Sequence, residues 1–423
     1  MSTREVVAAS RLRGTVRVPG DKSASHRALM LSALAAGISQ IDGLSHGEDV
    51  AATTRIMAQL GASVDSRAGV VIVEGPRQGL AATTDELQCG NSGTTMRLLA
   101  GIVAGVPGEH RLVGDSSLSR RPMDRVARPL RLMGAQVTGH GEAVTAPLRV
   151  RGTRPLRAIS YDVPVASAQV KSAVLFAGLA GDGATTVREA LRTRSTTEDM
   201  MRHCGIYLTS VNTGSGREVS VNPGRPEPRH WRVPGDPSQA AFFAVLGVVH
   251  RDAVIDIAPI DSAPERVGFL DVLVRMGAEI SWGDDGSVHA ASSILSATEI
   301  AAEEIPSVDE VPALTVAAAA ATGVSAFRNV GELRVKESDR FAGSMALAAA
   351  LGCETWSDGD DFFVRGRGSA AAFDAFTLDV ELDHRMVMAA AIAASAGRGG
   401  VVGGADSVTS SYPAFFDDLA SLQ

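Results

Sequence analysis

Two kinds of hydrophobic run alternate along this chain. Runs of the first kind are apolar nearly all round and rich in alanine: Ala28–Ala36, Leu98–Ala104, Ser172–Ala180, Ala240–Val249, Leu314–Ala321 and Val387–Ala396. A helix without a polar stripe has no face to give to water, so each is expected to lie buried. Runs of the second kind are amphipathic, from Asp49 to Leu60, Met123 to Met133, Arg266 to Met276 and Glu337 to Leu351. Each ends on a similar signature: Gly61-Ala62-Ser63-Val64, Gly134-Ala135-Gln136-Val137, Gly277-Ala278-Glu279-Ile280 and Gly352-Cys353-Glu354-Thr355. Glycine there stops a helix, and the alternating residues after it start a strand.

The first kind of run always follows a turn rich in Gly, Asp or Ser. Gly20, Gly90, Ala166, Gly235, Asp309 and Asp383 mark those turns at steps of about 70 to 76 residues, long for a solenoid repeat and right for a small α/β unit. The spacing predicts six βαβαββ units, with buried first helices and solvent-facing second helices. Gly235-Asp236-Pro237-Ser238 resembles Gly20-Asp21-Lys22-Ser23 without its Lys and Arg, which suggests two homologous halves. The expected organisation is one lobe at 21–234 and a second made of 1–20 plus 235–423. A hinge near Gly20 and Gly235 would place a site in the cleft between them. Val211 to Arg229 reads as the loosest linker, with several Gly and Pro.

Composition narrows the function classes. With 423 residues, 45% of them hydrophobic and 21% charged, the chain reads as a soluble protein of two or three domains. The formal net charge of −8 argues against a nucleic-acid binder that works by overall charge, so any anion site is local. Cys89, Cys204 and Cys353 are widely spaced and odd in number, which points to reduced thiols in a cytosolic protein. Neither a signal segment nor a membrane span is expected, and zinc-type Cys/His spacing is absent from the sequence.

Candidate chemistry collects at the helix starts. Pro19-Gly20-Asp21-Lys22-Ser23-Ala24-Ser25-His26-Arg27 joins a short β-like run, Thr15–Val18, to the first apolar helix, with Ser23 or Ser25 as a possible cap. Free N–H groups and the positive dipole end at such a start favour an anion, and Lys22 and Arg27 stand beside it. A turn with solvated charges is the alternative for these residues alone. Asn91, Gly93 and Thr94 stand at the second start, Ser167, Gln169 and Lys171 at the third. Asp309 and Glu310 stand at the fifth, and Asp383, His384 and Arg385 at the sixth, while the fourth, with Pro237, looks structural. Ser119-Arg120-Arg121-Pro122-Met123 and Arg334-Val335-Lys336-Glu337-Ser338-Asp339-Arg340 add two charged clusters. Recurrence at matching places in a repeat favours one shared anionic site. Arg binds carboxylate or phosphate bidentately, and two anionic ligands brought together need several such forks. Asp309 and Glu337 among those cations suit proton carriers, although a structural ion pair remains open for each acid taken singly.

At these residues the sequence becomes recognisable. It resembles the EPSP synthase family of enolpyruvyl transferases over essentially its whole length. The motifs are Pro19-Gly20-Asp21-Lys22-Ser23-x-x-x-Arg27, Gly90-Asn91-Ser92-Gly93-Thr94-Thr95-Met96-Arg97, Arg121-Pro122-Met123, Ser167-Ala168-Gln169, the 334–340 cluster and Asp383-His384-Arg385-Met386. Six in the right order form a highly specific signal. The resemblance implies an α/β fold of two lobes, each an inside-out barrel of three βαβαββ units, and transfer of the enolpyruvyl group of phosphoenolpyruvate to the 5-hydroxyl of shikimate 3-phosphate. It implies that Lys22, Ser23, Arg27, Ser167, Gln169, Arg194, Asp309 and Lys336 hold shikimate 3-phosphate. Lys22, Asn91, Gly93, Arg121, Gln169, Arg340, His384 and Arg385 would hold phosphoenolpyruvate. Asp309 would act as base, while Glu337 with Lys22 would carry protons to and from the methylene carbon and the leaving phosphate. No metal or organic cofactor is implied, nor a nucleic-acid or membrane partner, and the family expectation is a cytoplasmic monomer. The chain departs from the family at Ser410-Ser411-Tyr412-Pro413, where many members carry a Lys, at Ala168 and at Glu332.

Two other readings compete. The sister transferase acting on UDP-N-acetylglucosamine uses a loop cysteine, whereas Ser116 to Arg121 holds none. A non-catalytic anion-binding module would keep Arg121, Arg340 and Arg385 but has no use for Asp309 and Glu337.

Overall fold

Each apolar run becomes the central helix of a repeat. A computed structural model of the chain describes residues 2–67, 69–214, 216–305, 308–380 and 382–423. The chain divides into two units, Lys22–Val233 and Met1–Asp21 with Pro234–Gln423.

In the Lys22–Val233 unit, helices α1 (Lys22–Leu34), α3 (Gly93–Ala104) and α5 (Ala168–Gly178) are the buried ones. Helices α2 (Glu48–Gln59), α4 (Asp124–Leu132) and α6 (Thr196–His203) each have one buried face. Three four-stranded sheets belong to this unit. In the second repeat, Glu86–Gln88 runs parallel to Gly108–Val113, which pairs antiparallel with Thr145–Gly152, and Gln136–His140 forms the edge. Ser160–Val163, Thr185–Glu189, Gly216–Val221 and Leu208–Thr213 repeat that order. In the first repeat the parallel partner of Gly37–Asp42 is His230–Arg232, from the far end of the unit. The core holds Leu29, Leu31, Leu98, Leu99, Val174 and Leu175, all fully buried. Helices α3 and α5 approach so closely that a Cβ at Gly101 would lie 2.2 Å from the Ala173 carbonyl oxygen.

The other unit follows the same plan with α7 (Pro237–Val249), α9 (Val311–Ala320) and α11 (His384–Ala396) buried. Helices α8 (Pro264–Arg275), α10 (Arg340–Ala350) and α12 (Phe415–Ser421) keep one face exposed. Every residue of α7 is buried, as expected of a helix with no polar stripe. Leu12–Val16 supplies the parallel partner of Ala253–Ile257, so a strand that precedes α1 in sequence completes the α7 repeat. Among the described residues the sixth repeat shows no hairpin of its own, and Thr3–Val6 pairs antiparallel with Gly400–Gly403 in its place. Each unit is thus an inside-out α/β barrel, the architecture expected from the repeat.

Several local expectations are corrected. Ser23 and Ser25 lie inside the first turn of α1 rather than capping it, and Ser25 Oγ accepts from the Ser45 amide at 3.0 Å. The 337–351 helix begins only at Arg340, because Asp339 caps it by accepting from the Ala342 amide. Much of the stretch from Val211 to Arg229 is no linker, since the Leu208–Thr213 and Gly216–Val221 hairpin belongs to the third sheet. The hydrophobic pattern announces no helix at Thr196–His203, yet these residues form α6. The glycines at the ends of the second helices do sit in the left-handed region, with φ of 107° at Gly61 and 98° at Gly277.

Candidate active site

In the Lys22–Val233 unit, helix starts bring the expected residues together. Lys22, at the first position of α1, places its ammonium 3.1 Å from Asp49 in the first turn of α2. Thr95 of α3 donates to the Asp49 carbonyl at 3.3 Å. Ser92 caps α3, accepting from the Thr95 amide, so Asn91 and Gly93 flank that cap. Asn91 Oδ1 accepts from Arg121 Nη2 at 2.5 Å, and its amide donates to Asp115 at 2.7 Å. A Cβ at Gly93 would stand 2.8 Å from Arg97 Nη1 and 3.3 Å from Arg121 Nη1, so the missing side chain lets two guanidiniums close on the start of α3. Arg97 donates to Gln169 Oε1 at 2.7 Å, and the Gln169 amide donates to Thr94 at 3.0 Å. Ser167 caps α5 by accepting from the Val170 amide. Arg27 donates to the Ser23 carbonyl at 2.8 Å, to Thr197 at 2.6 Å and to Ser172 at 2.9 Å. Arg194, half-buried, lies between Thr193 and Ser195, just before α6.

The other unit is built around one guanidinium. Arg340, 1% exposed, lies 3.0 Å from Asp309, 2.5 Å from Glu337 and 2.8 Å from Asp383. Burial opposes its charge, but Asp383, Glu337 and Asp309 outweigh that and raise its pKa above the ordinary arginine value. Arg385 approaches the other oxygen of Asp309 at 3.4 Å. Asp383 also caps α11, accepting from the amides of Arg385 and Met386. Val308 and Leu382, immediately before Asp309 and Asp383, have φ of 52° and 40°. For a branched residue such a backbone is costly, and it turns the chain sharply just ahead of each acid. His384 Nδ1 shares a 3.1 Å hydrogen bond with Ser410, in the stretch where many family members carry a Lys. Lys336 is half-buried at the end of a short 3₁₀ turn, next to Glu337.

Sequence reasoning missed Asp49 and Arg97 as members of these clusters, and it named Asp383 at the sixth helix start without giving it a role. Arg97 and Asp383 lay inside motifs already singled out; Asp49 opens an amphipathic helix, and nothing in its neighbourhood points to Lys22. Among the described residues no group of His, Cys, Asp and Glu is placed to hold a metal, and no helix is long and apolar enough to cross a membrane.

Comparison with known proteins now decides the family. A family model described as EPSP synthase (3-phosphoshikimate 1-carboxyvinyltransferase) matches residues 6–419. The chain belongs to the EPSP synthase family. A 3-phosphoshikimate 1-carboxyvinyltransferase of Synechococcus sp. (strain WH7803) is 42% identical over 100% of this chain and 98% of its own length. One from Geobacillus kaustophilus is also 42% identical, covering 98% of both chains. Among solved structures, EPSP synthase from Acinetobacter baumannii superposes with a TM-score of 0.86 at 34% identity, covering 99% of this chain and 98% of that one. The enolpyruvyl transferase NikO from Streptomyces tendae, with a TM-score of 0.80 at 19% identity, covers 99% of this chain and 96% of its own and shares the fold. As an EPSP synthase family member the chain is an enzyme, and the reading as a non-catalytic anion-binding module falls. The sister-transferase reading is not favoured either: all three cysteines are buried, and burial pushes the thiols of Cys204 and Cys353 up to about 11. Burial raises Cys89 further still. A thiol held in that state is a poor nucleophile.

Proposed function

We propose that this chain transfers the enolpyruvyl group of phosphoenolpyruvate to the 5-hydroxyl of shikimate 3-phosphate and releases inorganic phosphate, acting as a cytoplasmic monomer. The observation that carries the assignment of roles is the convergence of Asp309, Glu337 and Asp383 on the buried Arg340. Three acids around one cation exceed what anion binding needs and suit proton transfer beside an anion.

The roles follow from the groups. Lys22, Arg121, Arg340 and Arg385, with Asn91, Gly93, Gln169 and His384, hold the carboxylate and phosphate of phosphoenolpyruvate. Lys22, Ser23, Arg27, Ser167, Gln169, Arg194 and Lys336 hold shikimate 3-phosphate. Asp309 orients and deprotonates the attacking hydroxyl. Its two oxygens are oriented by Arg340 and Arg385, and a carboxylate so placed is a proton acceptor. The hydroxyl oxygen adds to C2 of phosphoenolpyruvate while a proton from Glu337 or Lys22 reaches the methylene carbon, giving a tetrahedral adduct with a methyl group. Loss of a methyl proton to the same groups expels phosphate and restores the double bond. The cations contribute to rate by holding the charge of the adduct and the leaving phosphate better than that of the ground state.

The test is phosphate release from the purified chain with both substrates. Release that requires both is expected; release from phosphoenolpyruvate alone, or none, would refute the assignment.

A further inference from the structure

We propose that Lys171 is a positioning residue for the shikimate 3-phosphate half of the site, acting through two buried acids that bracket the segment carrying Arg194. The inference rests on the assignment of Arg27 and Arg194 to that substrate. Lys171 stands in the first turn of α5, two residues after Gln169, and its side chain is fully buried. Its ammonium lies 2.9 Å from Glu189 and 2.7 Å from Glu198, both also fully buried in their side chains. Glu189 is the last residue of the strand Thr185–Glu189, and Glu198 sits in the first turn of α6. One ammonium therefore ties down both ends of the stretch that contains Arg194.

Neighbouring bonds extend the tie in both directions. Thr193, directly before Arg194, donates to Glu189, and Ser195, directly after it, donates to Asp199 at 2.5 Å. Arg217 approaches Glu198 at 3.7 Å from the adjoining strand. Thr197, beside Glu198, accepts from Arg27 Nε at 2.6 Å and meets Ser172 at 2.6 Å, and Ser172 is the residue after Lys171. Arg27 is thus aimed by two hydroxyls, one on each element that Lys171 joins. Three charged groups are costly to strip of water, and a packed apolar core would hold the fold as well. Their placement behind two candidate phosphate-binding arginines gives them a use: a first layer of ligand contacts stays in register only when a second layer locks it.

The inference separates from a merely structural role by which Michaelis constant moves. Lys171→Met and Thr197→Val are made in the full chain, and KM is measured for each substrate with kcat per active molecule. Lys171→Met should raise KM for shikimate 3-phosphate by about tenfold to a hundredfold, since small misplacements of a binding group carry losses of that order. Thr197→Val should raise it severalfold, and KM for phosphoenolpyruvate should stay within about twofold in both. Reduced yield or kcat with an unchanged KM for shikimate 3-phosphate would overturn the proposal. If Lys171→Met does not fold, Thr197→Val decides alone, because it keeps every charge and nearly every atom. Arg27→Ala run in parallel tells the two levels apart. If it raises that KM while Lys171→Met and Thr197→Val do not, the positioning role falls and the substrate assignment stands. If it changes nothing, both fall.

Discussion

The two units share one architecture and put different chemistry on it. In Lys22–Val233, the arginines around the helix starts reach amides, hydroxyls and carbonyls: Arg121 holds Asn91, Arg97 holds Gln169, and Arg27 holds Thr197, Ser172 and the Ser23 carbonyl, while Lys22 and Lys171 pair with acids of neighbouring elements. In the other unit the corresponding starts carry acids, and Asp309, Glu337 and Asp383 gather on Arg340. The buried helices follow one plan in both units; the residues around their starts do not. On the proposed roles both halves supply cations for the anions, and the acids that would move protons come from the second half, so changes to the cations and to the acids should fail differently.

The largest effect is expected from Asp309→Asn, which should lower kcat by about a hundredfold to ten-thousandfold while both substrates still bind by calorimetry. Unchanged turnover would remove it as the base. Arg340→Met leaves the buried Asp383 and the half-buried Asp309 and Glu337 short of their shared cation and should destabilise the protein by about 3–5 kcal/mol in a urea titration. A variant as stable as the parent would mean that the acids do not depend on this guanidinium. Lys22→Met should lower kcat/KM for both substrates by about a hundredfold or more, as the loss of a charge-stabilising donor does. Normal kinetics would take Lys22 out of the site. Gly93→Ala is milder, because the groups in its way are the tips of flexible arginines. It should raise KM for phosphoenolpyruvate by about tenfold or less and leave KM for shikimate 3-phosphate alone. The smallest effect belongs to the thiols. With Cys204 and Cys353 pushed up to about 11 by burial, the fraction of thiolate at neutral pH is small, so iodoacetamide should leave activity intact until the chain is unfolded. Rapid inactivation would reopen the cysteine-using alternative.

Much of this was legible in the sequence, for a physical reason. Periodicity reports burial, so the all-apolar helices and the Gly-terminated amphipathic ones could be read directly, and their even spacing exposed the repeat. Periodicity says nothing about what is brought together from afar. The strand Leu12–Val16 leads into α1 yet pairs with Ala253–Ile257, and the bond of Lys22 to Asp49 crosses from one helix to another. Helix α6, with only 8 residues and two apolar ones among them, gave too little pattern to show itself. The hairpin ending at Val221 was masked by the Gly and Pro around it. Arg340 was placed among the anion-binding cations, but its place at the centre of three acids comes from the bends at Val308 and Leu382, a property of the folded backbone.

The most direct test of the central claim, that acids gathered on Arg340 move protons while cations hold the substrates, is turnover in heavy water by the parent chain and by Glu337→Gln. The account predicts deuterium in the vinyl group of the product, delivered when the methylene carbon is protonated, and turnover lowered by about a hundredfold or more in the variant. Parent turnover without deuterium in the product, or a variant that works at the parent rate, would contradict it.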